Sequence, residues 1–248
     1  MQALATNEWQ TAVARSAVYA LLARGLAFPS PDHRSELRER VLPVVADLET
    51  GDPELDGALA EVRERLDQPL GALRDAHQSA FTHVDPEDHP PCESAYRTDD
   101  VFRQTQIMAD VAGFYRAHGL AVGGTERERA DHVVTQLEFM GFMAAKEAYA
   151  LEHLGPDEVA ECRRTQAAFL RDHLGCFGPA LGRRLELAAP EPLVRALGRL
   201  LGRWLETDLD VLDVTPAERL DEPFGPTPPD DGSCGLECVL EPGGRLTP

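Results

Sequence analysis

The chain has 248 residues, 43% of them hydrophobic, and a formal net charge of −19 at pH 7. That length and apolar content suffice for one large or two small globular units with a sizeable core. The charge excludes general nucleic-acid binding, which needs a basic footprint, and disfavours an anionic membrane surface. It suits a basic partner, because complementary charge speeds encounter and discriminates among partners. Lys146 is the only lysine, with arginine used elsewhere, a pattern of GC-rich coding rather than of mechanism. The first ten residues lack a basic segment followed by an apolar run, so no secretory leader is expected. No stretch approaches the roughly 18 apolar residues of a spanning helix. The five cysteines, Cys92, Cys162, Cys176, Cys234 and Cys238, follow no framework spacing and predict reduced thiols in a cytoplasmic protein.

Residues 7–27 read as a helix capped by Asn7, with Val13, Ala17, Ala20, Leu21 and Leu22 as its apolar stripe and Phe28-Pro29 as its stop. Ser30-Pro31 supplies an N-cap and a first-turn proline for a second helix to about Leu48, interrupted at Pro43. Gly51-Asp52-Pro53 is a turn. Helices follow from about Glu54 to Leu66 and from Pro69 to about Phe81. The run Asp85-Pro86-Glu87-Asp88-His89-Pro90-Pro91 is a polar, proline-rich surface loop. A long helix is predicted from about Asp99 to His118, with Gly119 as its C-terminal stop. Further helices cover the region up to about His153, then 157–174, 176–188 and Glu191–Leu209. From about Val214 the periodicity fails, and prolines and glycines predict an extended or mobile tail. The expected fold is all-α, a compact helical bundle over 1–213 with a hinge near 83–97 and a Pro/Gly-rich tail over 214–248.

The chain is organised around Glu128–Glu147. Thr125 and Glu128 have the capping-box spacing, and Asp131 is a second N-cap candidate. Val133, Leu137, Met140 and Ala144 share one helical face, and Phe139, Phe142 and Met143 widen it until the helix is apolar most of the way round, as a central helix is. The same residues carry a resemblance. Glu128-x-x-Asp131-His132 followed by Leu137-Glu138-Phe139-Met140 resembles the signature of the TorD/DmsD/NarJ family of redox-enzyme maturation chaperones, and Pro91-Cys92-Glu93-Ser94-Ala95-Tyr96-Arg97 resembles that family's upstream P-Y-E-S-x-Y-R segment. The chain departs at Arg129, where the family usually has proline, and at Cys92, where it has an aromatic residue. The resemblance spans roughly Trp9 to Leu212. It implies a compact all-helical fold with a hinge, and a non-enzymatic cytoplasmic chaperone, monomer or homodimer. Such a chaperone binds the twin-arginine signal peptide and the apo catalytic subunit of a DMSO-reductase-type molybdoenzyme, assists molybdenum cofactor insertion and delays export.

Six residues are the binding candidates. Glu128 and Asp131 can take guanidinium groups by charge-assisted bonds beside an apolar groove, and His132 shares their lip, which the resemblance implicates in recognising the leader. Glu93 and Tyr96 are read equally as a binding pair or as core and backbone support. Glu138 is either on a narrow exposed face or paired with an arginine inside the protein. Phe139, Met140, Phe142 and Met143 read as core before groove. Catalysis by Asp131 with His132 is the enzyme alternative, as a helical hydrolase, but no strained nucleophile motif accompanies the pair. Nucleotide binding at Gly123-Gly124-Thr125 is faintly supported, and a structural subunit of a mature complex is the third alternative. No cofactor or metal is expected, since Cys234-x-x-x-Cys238 and His89 with Cys92 fall short of a site. No nucleic-acid partner and no membrane insertion are expected.

Overall fold

The computed structural model describes residues 8–81, 89–123 and 128–223. These form helices and one isolated antiparallel bridge, with no strand among the described residues. Helix α1 (Glu8–Leu26) is followed by α2 (Pro31–Glu36), a π-helical turn (Leu37–Val41), α3 (Leu42–Ala46), α4 (Pro53–Leu66) and α5 (Leu70–Phe81). After the gap come α6 (Ser94–Arg97), α7 (Val101–Ala117), α8 (Val133–His153), α9 (Pro156–Phe169), a second π-helical turn (Leu170–Leu174), α10 (Gly175–Ala188) and α11 (Pro192–Val211). The all-α bundle read from the sequence is therefore the observed architecture.

Local signals fix most of the helix starts. The Ser30 hydroxyl accepts from the His33 amide at 3.1 Å with Pro31 in the first turn. Asp52 and Asp100 accept from amides two residues ahead, Glu54 at 2.9 Å and Phe102 at 2.8 Å. Gly119 follows α7 with φ +74°, a backbone that L-residues rarely adopt. Pro43 interrupts the second predicted helix because it has no amide proton. The chain shifts to π-type bonding, with the Leu42 amide donating to the Leu37 carbonyl, and Pro43 falls in the first turn of α3.

Helix α8 is central. It lies along α1 on one side and α9 on the other, while α11 joins α10 to α4. Leu137, Met140, Met143 and Ala144 are fully buried in this core. Phe114, Tyr115, Phe139, Phe169 and His173 form an aromatic cluster with ring centroids 4.7–6.4 Å apart, gathering α7, α8 and α9. The α10–α11 crossing is backbone against backbone. A β-carbon at Gly182 would meet the Gly198 carbonyl oxygen at 2.7 Å and the Gly202 nitrogen at 2.6 Å, so only glycine permits this approach.

Two polar systems are sealed into the bundle. Arg15 of α1 donates to both carboxylate oxygens of Asp208 (2.5 and 3.0 Å) and to Glu147 (3.0 Å), and the Tyr19 hydroxyl reaches Asp208 at 2.6 Å. Arg15 and Asp208 are 3% and 0% exposed. The second system, around Glu93, is described below.

The start of the predicted tail is not loose. The Ala217 amide donates to the Arg171 carbonyl (2.8 Å) and the Leu220 amide to the Cys176 carbonyl (3.0 Å), and Leu220 is buried. These bonds tie the segment after α11 to the second π-turn and to the start of α10. Asn7, the Asp85–Asp88 loop with part of the 83–97 hinge, Gly124, Thr125 and the Cys234/Cys238 pair lie outside the described residues.

Candidate functional site

The two sequence motifs meet. The Glu93 amide donates to the Asp131 carbonyl (2.9 Å) and the Val133 amide to the Pro91 carbonyl (2.8 Å), which is the isolated bridge between Cys92 and His132. Glu93 is 0% exposed. Its carboxylate accepts from Arg97 Nε (2.6 Å), Gln136 Nε2 (2.8 Å) and His173 Nδ1 (3.2 Å). One carboxylate thus ties the upstream motif to α8 and to the second π-turn.

Asp131 is also 0% exposed. Its carboxylate accepts from the Ser94 amide (3.1 Å) and from Arg129 Nε (3.0 Å) and Nη2 (3.1 Å). The sequence made Asp131 a candidate cap of the central helix. It instead serves Ser94, at the start of α6, and the cap of α8 is His132, whose Nδ1 accepts from the Val134 amide at 3.2 Å. Asp131 and His132 are neighbours with separate partners, not a catalytic pair. Tyr96 is core, 1% exposed, with its ring 5.4 Å from that of Phe177. Burial pushes the Cys92 thiol up to about 12, so it is no nucleophile near neutral pH.

Burial also pulls the His132 imidazole below its ordinary value, against the opposing pull of Glu128 and Asp131. The ring is neutral near pH 7, with Nδ1 as acceptor and the proton on Nε2, 3.6 Å from a Glu128 oxygen. The folded state then binds fewer protons than the unfolded state as pH falls through about 6.5, so stability falls with acidification. His77 and His118 are lowered in the same direction, again chiefly by burial. His132→Asn keeps a capping oxygen and removes one titrating group. It should leave the denaturation midpoint near pH 7.5 almost unchanged and flatten its decline toward pH 5. A variant whose decline matched the parent's would show that His132 contributes none of it.

One surface open to a ligand is a groove of about 850 Å³ between α1, α2, α8 and the segment after α7. Ala20, Ala23, Leu120, Val122, Val134 and Phe142 contribute apolar surface to it. Glu36, Glu128 and Glu138 provide its carboxylates, and Arg24 its guanidinium. Of the six predicted residues, Glu128 and Glu138 line this groove, while Glu93, Tyr96 and Asp131 lie inside the protein beneath the motif junction. Glu138 lies on the exposed face: it is half-exposed, and its pair with Arg24 sits at the water boundary rather than inside the protein. Phe139, Met140 and Met143 are core, and Phe142, 39% exposed, faces the groove.

Sequence reasoning missed Arg24 and Glu36, which form the opposite wall. Arg24 Nε donates to Glu36 at 2.7 Å. The available signal was an arginine close to the end of an otherwise apolar helix, followed 12 residues later by a glutamate. Among the described residues, no group of three or more His, Cys, Asp or Glu is placed to hold a metal ion, and no helix is long and apolar enough to cross a membrane.

Comparison with known proteins relates the chain to assembly chaperones. Residues 48–182 match the family described as nitrate reductase delta subunit. The chain is 28% identical over 204 residues to a perchlorate reductase assembly chaperone protein of Dechloromonas aromatica, covering 80% of this chain and 89% of that protein. It is 35% identical over 102 residues to a chlorate reductase assembly chaperone protein of Ideonella dechloratans (41% of this chain, 50% of that protein). It is 32% identical over 100 residues to a selenate reductase assembly chaperone protein of Thauera selenatis (40% and 50%). The chain belongs to the nitrate reductase delta subunit family, the NarJ/TorD type of redox-enzyme maturation chaperone.

Proposed function

We propose that this chaperone serves the catalytic subunit of a DMSO-reductase-type molybdoenzyme in the cytoplasm. It binds the subunit's twin-arginine leader and its apo body, holds the subunit while the molybdenum cofactor is inserted, and so delays export. The observation that carries the reading is the groove, whose apolar walls lie beside Glu36, Glu128 and Glu138. A leader offers the complementary pattern: guanidinium groups next to a hydrophobic stretch. Planar guanidinium forks pair with carboxylates in two parallel bonds, which a lysine ammonium cannot do. The relatives named as assembly chaperones for perchlorate, chlorate and selenate reductases support an oxyanion reductase as the client.

The test is calorimetric titration with a twin-arginine leader peptide against its twin-lysine counterpart. Saturable binding is expected, tighter for the arginine peptide and weakening as salt screens the groove carboxylates. Absence of binding to both peptides, or an affinity indifferent to salt, would remove the leader from the groove.

A further inference from the structure

We propose that Arg24 is a resident occupant of the groove's acidic pair, held between Glu36 and Glu138 where a client guanidinium binds, and that the client displaces it from Glu138. This rests on the reading of the groove as a peptide site.

Three elements converge on this guanidinium. Arg24 comes from the last turn of α1, Glu36 from the end of α2 and Glu138 from α8. Arg24 Nε donates to Glu36 at 2.7 Å, and Nη1 bonds Glu138. The arrangement differs in kind from the sealed arginine of the same helix. The Arg15 side chain is 4% exposed and its partner Asp208 0%. The Arg24 side chain is 22% exposed, and Glu36 and Glu138 are 37% and 43% exposed. An ion pair at the water boundary contributes little net stability. Exchanging one guanidinium for another therefore breaks and forms bonds of the same kind at small cost, which is not so for Arg15.

The charge of the groove makes the exchange directional. Among the described residues lining the groove, Glu36, Glu128 and Glu138 face one guanidinium, Arg24. Among the described residues, Glu128 is opposed by the neutral His132 ring at 3.6 Å. A first client arginine meets Glu128 without displacing anything. A second meets Glu138, which is already held. Arg24 keeps Glu36 through Nε and yields Glu138, so the resident side chain acts as a threshold. A peptide with a single cation stops at Glu128, and one with two guanidiniums engages both carboxylates.

The experiment compares wild type, Arg24→Gln, Arg24→Met and Arg38→Gln in calorimetric titration with the twin-arginine leader and a single-arginine version of it. Arg24→Met retains the apolar stem against the groove wall. Arg38→Gln makes the same change in net charge outside the groove, where Arg38 pairs with Asp67. Both Arg24 variants should bind the twin-arginine leader more tightly, by roughly five-fold at low salt, and the gain should shrink as salt is added. Glu138→Gln in the Arg24→Gln background should cancel the gain. The single-arginine peptide should bind all four proteins alike. If wild type binds and the Arg24 variants bind equally or more weakly, displacement is wrong and the groove reading stands. An equal gain in Arg38→Gln would assign the effect to the general field and overturn the proposal. Failure of every protein to bind would overturn the groove reading and the proposal with it.

Discussion

Arg15→Ala is expected to destabilise the protein by about 3–5 kcal/mol, a large part of a domain's total stability. The substitution leaves Asp208, 0% exposed, without its cation and removes one of the bonds to Glu147. Glu147 fares better, since Arg163 Nε at 2.6 Å and Gln166 Nε2 at 2.8 Å remain. The harm is therefore concentrated on Asp208, and Arg15→Met/Asp208→Leu should recover much of the loss. Recovery stays partial because the Tyr19 hydroxyl loses the carboxylate it reaches at 2.6 Å. Urea unfolding followed by circular dichroism measures both proteins. A loss under about 1 kcal/mol in Arg15→Ala would mean that water replaces the guanidinium, which the burial of both partners argues against.

Glu93→Ala should cost about 3 kcal/mol, because it strands donors on Arg97, Gln136 and His173 at once. Glu93→Gln keeps the shape and one acceptor oxygen, and should cost less. The expected order of stability is wild type, glutamine, alanine. The effect should also be local in a particular way. Glu93 joins the upstream motif to α8, so amide exchange in Glu93→Gln should rise at Asp131, Val133 and the neighbouring start of α8 before it rises in α11. Equal stability of wild type and Glu93→Gln would show that one acceptor oxygen suffices to hold the junction.

Much of the helical plan was legible because helix ends obey short-range rules. Ser30-Pro31 and Gly119 each act within a few residues and read as the start and stop they are, while Asp52-Pro53, which reads as a turn, is the cap and first residue of α4. The centrality of α8 was legible from the apolar girth of residues 133–144. What failed to read was non-local. Asp131 has every local mark of a cap, yet its carboxylate serves Ser94, 37 residues earlier, and His132 takes the cap. Glu93 reads equally as a ligand-facing acid and as a support bonded nearby; its bond to Arg97 is local, but its donors Gln136 and His173 are 43 and 80 residues away. The groove was half-legible for the same reason. Glu128 and Glu138 belong to the motif, but Arg24 and Glu36 come from helices that only folding brings opposite them. The π-turns escaped because they arise from competition between Pro43 or α10 packing and helix register, which periodicity alone does not express.

The sealed arginine on α1 also dictates an order of events during synthesis. Its carboxylate partner lies 193 residues downstream, so at about 5–20 residues per second it is not made until roughly 10–40 seconds after Arg15. Its other carboxylate partner, Glu147, lies 132 residues downstream, so Arg15 has neither partner for about the first two thirds of that interval. The segment of α8 against which it finally rests does not exist for most of the wait. By contrast, α10 and α11 are sequence neighbours and can close their glycine-lined crossing as soon as both emerge. A chain halted before residue 208 therefore lacks the buried carboxylate that holds Arg15 by two bonds in the folded protein.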